Sequence, residues 1–360
     1  MKTNLIPSGI GHFNTNLPNH NQPNADHSEI INRPLTVSVI ICAYTEERWD
    51  DLLAAVASVE EQTQPAQEIV VVIDHNPTLF ARAQAQLTNV MVIENTQPQG
   101  LSGARNSGIA AAQSEIIAFL DDDATAAPNW LAWLCHWLRD PKVMGAGGVV
   151  EPIWEGGQPA WFPVEFNWVI GCSYRGLPRH PQTIRNLFGG CMCIRREVFE
   201  AVGGFRIGIG RSDSRPLGCE ETELCIRANQ QWPDHQFLYE PRAWAYHRVP
   251  AKRSKWRYFR ERCYAEGLSK ALVSQTVGAK DGLAAERTYT MITLPLGVFR
   301  NLGDLILHSD VDGMARAGAI IGGLAFTVAG YLFGRITQRP IQPQILPSSM
   351  TILKQEKRVA

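Results

Sequence analysis

EIIAFLDDDAT, residues 115–125, decides how this chain is read. Residues 116–120 are apolar without a break, and three aspartates follow at once. A run with no polar side has no face to offer water, so it reads as a strand covered on both faces of a sheet. Upstream, residues 35–43 (LTVSVIICA) and 68–73 (EIVVVI) have the same character, and residues 90–94 a shorter version of it. Between them the spacing predicts helices. One covers residues 50–61, where Leu52, Leu53, Val56 and Val59 share a face; the others cover 79–87 and 102–113, the last opened by Gly100 and Gly103. Strand and helix in alternation predict an α/β fold, a mostly parallel central sheet flanked by helices. Ligands of such sheets gather at the carboxyl ends of the strands. There the sequence puts Thr45 and Glu46, Asp74, and Asp121 to Asp123.

Past Asp140 the order looks irregular. Trp154, Trp161, Phe162, Phe166, Trp168 and Tyr174 lie among glycines and prolines, fitting either an acceptor cleft or a loop-rich core. Short helices are expected over residues 195–202 and 220–230, and a strand within 238–246. Between Arg316 and Arg335 stand eighteen uncharged residues, the lower limit for crossing a bilayer. Glycines at 318, 322, 323, 330 and 334 suit close helix packing there. Residues 291–307 are apolar too, but Pro295, Arg300 and Asp304 interrupt them, which fits an interfacial segment better than a span.

Composition bounds the function. The 360 residues carry 34 Lys+Arg against 35 Asp+Glu, a net charge of −1, which argues against a general nucleic-acid binder. Hydrophobic residues are 45 % and charged ones 19 %, enough for a large core and for contact with lipid. The eight cysteines form no CxxC pair and sit mostly in apolar surroundings, so they read as structural thiols of a reducing compartment. Residues 1–34, rich in Asn, Pro, His and Ser, read as a disordered leader and not a signal peptide.

Three clusters carry chemistry. In extended backbone Asp121 and Asp123 face one way and Asp122 the other, so two carboxylates converge as a hard-oxygen site for Mg²⁺ or Mn²⁺. GCEETEL, residues 218–224, holds Glu220, Glu221 and Glu223 at a helix start, where one carboxylate can act as a base and another anchor the helix. Lys252, Arg253, Lys255, Arg257, Arg260 and Arg262 form a basic stretch suited to a diphosphate or to anionic lipid. Asp121-x-Asp123-x-Thr125 also fits a phosphohydrolase motif, although such a motif usually opens its domain.

Taken in order, these residues resemble the inverting glycosyltransferases of family 2, which have the GT-A fold. The resemblance covers residues 36–267. VSVIICAYTEE (37–47) looks like the first nucleotide-contacting segment, with Ala43, Tyr44 and Glu46. Asp74 matches the residue that contacts the base. GLSGARNSG (100–108) matches the element beside the donor, with Gly100 and Arg105. FLDDDA matches the metal-binding segment, which puts Asp121 on the donor ribose or the metal, Asp122 on the donor and Asp123 on the metal. Phe188-Gly189-Gly190, RREVF (195–199) and Gly203-Gly204-Phe205 match acceptor-side elements. GCEETEL resembles the segment that supplies the catalytic base, by position Glu221 with Glu220 as the alternative; Cys219 replaces the usual glycine and Glu221 the usual aspartate.

The resemblance further implies His247 as a metal ligand and Arg262 as a diphosphate contact. It implies a UDP-sugar donor, Mn²⁺ or Mg²⁺ as cofactor, and a lipid-linked or saccharide acceptor. The processive Q-x-x-R-W signature is absent, which implies transfer of a single sugar. The expected layout is a leader at 1–34, a GT-A domain at 35–270 with a nucleotide half (35–140) and an acceptor half (141–270), and a membrane-associating region at 271–360. That region implies a place on the cytoplasmic face of a membrane. A non-catalytic member that binds partners at a membrane would have lost its acidic residues, and both acidic sites are intact.

Overall fold

The computed structural model describes residues 35–212 and 215–339. The expected leader at 1–34 and the end of the tail lie outside the described residues. The first half follows the alternation read from the sequence: β1 (Val37–Ala43), α1 (Trp49–Glu60), β2 (Glu68–Ile73), α2 (Pro77–Gln86), β3 (Met91–Glu94), α3 (Leu101–Ala111) and β4 (Ile116–Asp121). β1 pairs in parallel with β2 and β4, and β2 with β3. The register sets Cys42 beside Asp121 and Ala43 beside Ile73, so the strands end in line and their polar residues emerge on one edge.

The second half departs from the expected irregularity. After β5 (Ala124–Ala126) and α4 (Trp130–Trp137) comes a twelve-residue strand, β6 (Val143–Trp154). β7 (Gln182–Ile184), β8 (Cys191–Arg195) and α5 (Arg196–Val202) follow, then the short pair β9 (Arg211–Ser212) and β10 (Arg215–Pro216). α6 (Glu220–Gln231) leads into β11 (Gln236–Val249), far longer than the strand expected there. Among the described residues nine strands form one sheet in the order β3-β2-β1-β4-β8-β6-β11-β5, with β7 also on β11. β8 runs antiparallel to β4 and β6, so the sheet is parallel in its first half and mixed in its second.

Glycine hides β6 in the sequence and makes it possible in the structure. A Cβ at Gly145 would stand 2.6 Å from the Cys193 carbonyl oxygen, and one at Gly148 2.1 Å from that of Ala243. Only residues without a side chain let the neighbouring backbones come so close.

Both sheet faces are covered. Val39, Ile41, Val71 and Trp130 lie on one side, Ile40, Val72, Phe119 and Phe237 on the other, all fully buried. Each such side chain contributes about 1.5–3 kcal/mol. The tail is helical: α7 (Trp256–Val277), α8 (Ala284–His308) and α9 (Asp312–Thr337). α9 lies against α7 with no room for side chains at the crossing. A Cβ on Gly267 would be 2.0 Å from the Thr327 oxygen, and one on Gly330 2.1 Å from that of Tyr264.

Candidate active site

One cavity of about 930 Å³ opens at the carboxyl ends of β1, β2 and β4 and reaches the starts of α6 and α7 and the tail helices. Its donor-side wall is held by Asp74. That carboxylate accepts from Asn95 Nδ2 at 2.6 Å and from the Gly100 amide at 2.9 Å, while the Asp74 amide donates to Ala43 at 2.8 Å. Asp74 thereby joins the ends of β1 and β3 to the entry of α3. Gly100 has φ +124°, a conformation that side chains rarely adopt. Ala43 and Tyr44 line the cavity beside it. Glu46 does not: it is exposed in the first turn of a short 3₁₀ segment, outside the lining.

Asp121 ends β4, and Asp122 and Asp123 form the turn into β5, not the extended run expected from the sequence. Asp121 and Asp123 converge with His247, each offering a ligand atom within 4.8 Å of the others. Pairing of β11 with β5 sets His247 opposite Ala124, and the Arg248 amide donates to the Asp123 carbonyl at 2.8 Å. Asp122 takes Arg48 instead, at 2.9 Å, and burial with its aspartate neighbours pushes its carboxyl up to about 7. Burial also opposes charge on Asp123. His247 at 3.1 Å, Arg48 at 3.1 Å and Arg253 at 3.5 Å overcome it and hold that carboxyl well below the usual range. Two carboxylates and an imidazole make an oxygen–nitrogen donor set that fits Mn²⁺. Asp121, its side chain 35 % exposed, is the member open to the cavity.

Arg105 stands between the acidic clusters. Buried over the rings of Phe119 and Phe205, it donates to Glu220 at 2.9 Å, to the Gly189 carbonyl at 3.0 Å and to Asp121 at 3.5 Å. Burial alone would weaken its charge, but Glu220 and Asp121 raise its proton affinity. Gly189 and Gly190 leave the space: Cβ atoms there would meet Arg105 Nη2 at 2.8 Å and Asp121 Oδ2 at 2.4 Å.

The glutamates of α6 separate in the same way. Glu220 is taken by Arg105. Glu223, fully buried, holds Arg206 at 2.5 Å and Arg227 at 2.7 Å and fixes the helix start. Glu221 lines the cavity, and desolvation together with Glu220 pushes its carboxyl up to about 8. Cys219, before them, has φ +71°, the left-handed conformation that suits glycine.

The basic stretch also divides. Arg253 and Arg262 are buried and line the cavity, while Lys255, Arg257 and Arg260 face outward. Arg48, Arg211, Tyr258, Arg185 and Lys270 line it too, though the sequence reading assigned them no role. Burial would raise the Tyr258 hydroxyl, yet Arg211, Arg253 and Arg262 together lower it, so three guanidinium groups converge on that wall. Nothing in the local sequence marks Arg48 or Arg211, because their neighbours in the site come from the turn after β4, and for Arg211 also from α7, β4 and α6.

Residues 38–203 match the family model described as glycosyl transferase family 2. A glucosyl-dolichyl phosphate glucuronosyltransferase of Haloferax volcanii is 29 % identical over 316 residues, covering 86 % of this chain and 99 % of that one. The succinoglycan biosynthesis protein ExoM of Rhizobium meliloti is 24 % identical, covering 78 % and 93 %. The fold matches a solved mannosyltransferase of Pyrobaculum calidifontis, in complex with GDP-Man and Mn²⁺, with a TM-score of 0.56 at 17 % identity over 87 % of this chain and 94 % of that one. Residues 38–203 thus carry a glycosyl transferase family 2 domain, and the chain has a GT-A-type fold with two apolar helices at its C-terminal side.

Proposed function

We propose that this glycosyltransferase moves one sugar from a UDP-sugar to a hydroxyl of a lipid-linked or polysaccharide acceptor, inverting the anomeric centre. The carrying observation is that the Asp121–Asp123–His247 cluster and an unneutralised carboxylate, Glu221, share one cavity. Glu221 takes the proton of the acceptor hydroxyl as general base. Its raised proton affinity suits that task, since a base works best with a pKa near the operating pH. Glu220, committed to Arg105, positions the helix and leaves the proton transfer to its neighbour.

Asp121, Asp123 and His247 would hold a divalent cation. Mn²⁺ or Mg²⁺ there supplies charge neutralisation for the departing diphosphate. Arg262 and Arg211 face the same space and meet the developing negative charge from the protein side. Ala43, Tyr44, Asp74 and Gly100 form the end suited to the nucleoside. A single displacement, with the base opposite the leaving group, inverts configuration.

The acceptor assignment draws on the two relatives, whose names place them in lipid-linked and exopolysaccharide synthesis. All eight cysteines are free, which supports a reducing compartment and the cytoplasmic face of a membrane. The test is nucleotide release from a panel of UDP- and GDP-sugars with Mn²⁺, using a lipid extract as acceptor. Release from a UDP-sugar that depends on both acceptor and metal supports the reading. Release only from GDP-sugars, or without metal, overturns the donor or the cofactor.

A further inference from the structure

Two helices at the C-terminal side of this protein turn apolar side chains to the outside. On α8, Met291, Ile292, Leu296, Phe299, Ile306 and Leu307 form one stripe, with Phe299 71 % and Leu307 78 % exposed. Val311 at the N-cap of α9, with Met314, Ile321, Val328, Leu332 and Ile336 along it, form another. Recurrence at three, four and seven residues puts each set on a single helix face. Twelve large apolar residues in two stripes exceed what a soluble surface leaves to water.

The helices also have inner faces, and these belong to the catalytic domain. Tyr289, Thr290, Thr293 and Leu294 of α8 and Leu324 and Thr327 of α9 line the active-site cavity. Whatever covers the stripes therefore lies about one helix diameter, 10–12 Å, from that cavity.

The rim indicates a bilayer. Trp256 lies 3.4 Å from where a Cβ of Gly322 would be, which brings the start of α7 beside the α9 stripe. That start carries Lys255, Arg257 and Arg260, all exposed, and Trp256 is itself 43 % exposed. Tryptophan with flanking cations is the chemistry of an anionic lipid–water interface.

Length alone lets either helix cross a membrane: they have 25 and 26 residues. Packing argues otherwise. α9 is locked to α7 from Gly323 against Phe259, through Gly330 against Tyr264, to Gly334 against Ala271. Upright in a bilayer, it would carry α7 with it, and with α7 the charges of Arg262, Glu266 and Lys270 into hydrocarbon.

We propose that α8 and α9 form a monotopic platform that beds in one leaflet of an anionic membrane without crossing it, holding the active-site cavity against the lipid surface from which the acceptor comes. The platform rests on helix packing; only the acceptor's origin rests on the transferase reading.

The test uses the full chain with vesicles of phosphatidylglycerol and phosphatidylcholine in equal parts, and with phosphatidylcholine alone. Sedimentation is expected with the anionic vesicles and at least tenfold less with the neutral ones. Ile321→Cys and Leu332→Cys, each spin-labelled, then report depth. They share a face and stand eleven residues apart, about 16 Å along the helix. Equal, shallow depths are the expected result; a depth difference approaching that length means α9 crosses, and overturns the proposal. The triple variant Phe299→Glu, Ile306→Glu, Leu307→Glu should lose vesicle binding at least tenfold, with its circular dichroism and its nucleotide release toward detergent-dispersed acceptor unchanged. Retained binding in that variant, or no binding of the parent to either vesicle, also overturns it.

Discussion

Asp121–Asp123 and Glu220–Glu223 are both dense acidic clusters at the end of a regular element, yet they reach different electrostatic ends. The strand cluster is met by side chains from distant parts of the chain: Arg48 on Asp122, and Arg48, Arg253 and the His247 imidazole on Asp123. The helix cluster is met unevenly. Glu220 has Arg105, Glu223 has Arg206 and Arg227, and Glu221 has no ion pair among the described residues. The turn between β4 and β5 brings Asp121 and Asp123 together beside His247, which suits a paired ligand set. Helix geometry sends successive residues about 100° apart, which lets two carboxylates fix the backbone while the third stays available for chemistry.

The contrast breaks most sharply at Glu221. Glu221→Gln keeps the size of the side chain and removes the proposed base, so turnover should fall by about 10²–10⁴ with donor binding retained. Nucleotide release and a donor titration check it together. Near-normal turnover would move the base elsewhere, with Glu220→Gln the next variant to measure.

The strand cluster should fail differently. Asp123→Asn removes a proposed metal ligand and uncovers Arg48, Arg253 and His247 at once. Turnover should fall by roughly a hundredfold or more, and Mn²⁺ affinity with it, since charge neutralisation of the leaving group is lost. Mn²⁺ titration followed by electron paramagnetic resonance separates this from a base defect: the Glu221→Gln protein should bind Mn²⁺ normally.

Glu223 tests the anchoring half of the comparison. Glu223→Ala leaves Arg206 and Arg227 without the buried carboxylate that both contact, at a cost of about 3–5 kcal/mol. Urea unfolding should show that loss, while turnover per folded molecule stays close to that of the parent.

Glu221 also makes a prediction about stability. Its carboxyl titrates near 8 in the folded protein and in the ordinary carboxylate range when unfolded. A raised pKa stabilises the fold below the unfolded value, and that contribution is lost as pH rises toward 8. Glu221→Gln should therefore match the parent in acid and melt above it at pH 8. A parent that melts higher at pH 8 would place a cation on Glu221.

The two halves of the chain differ in how far the sequence could be read. Continuous apolar strands announce a buried parallel sheet, so β1, β2 and β4 were legible to within a residue or two, and the polar residues at their ends came with them. β6 and β8 were not legible. β6 is written with Gly145, Gly147 and Gly148, residues that mark turns in isolation and close strand packing here. The pairing of Asp121, Asp123 and His247 was readable from the resemblance, because it depends on residue types in order. Arg48 and Arg211 join the site only through the register of β1 against β4 and the path of the chain before α6, which no local pattern encodes.

The smallest effect belongs to Cys219, at the junction of the helix cluster with its loop. Its φ of +71° costs a residue with a Cβ about 1 kcal/mol relative to glycine. Against that, its thiol is buried and donates to Glu266 Oε1 at 3.2 Å. Cys219→Gly relieves the backbone but gives up a small buried side chain of comparable worth and widens the choices of the unfolded chain. The two effects nearly offset, so stability should change by less than about 1 kcal/mol. Turnover should stay within roughly twofold if the helix start is fixed by Glu220 and Glu223, as their ion pairs indicate. A large drop in turnover without loss of stability would mean that Cys219, through Glu266, helps aim Glu221, and the line between anchoring and reacting carboxylates would have to be drawn one residue earlier.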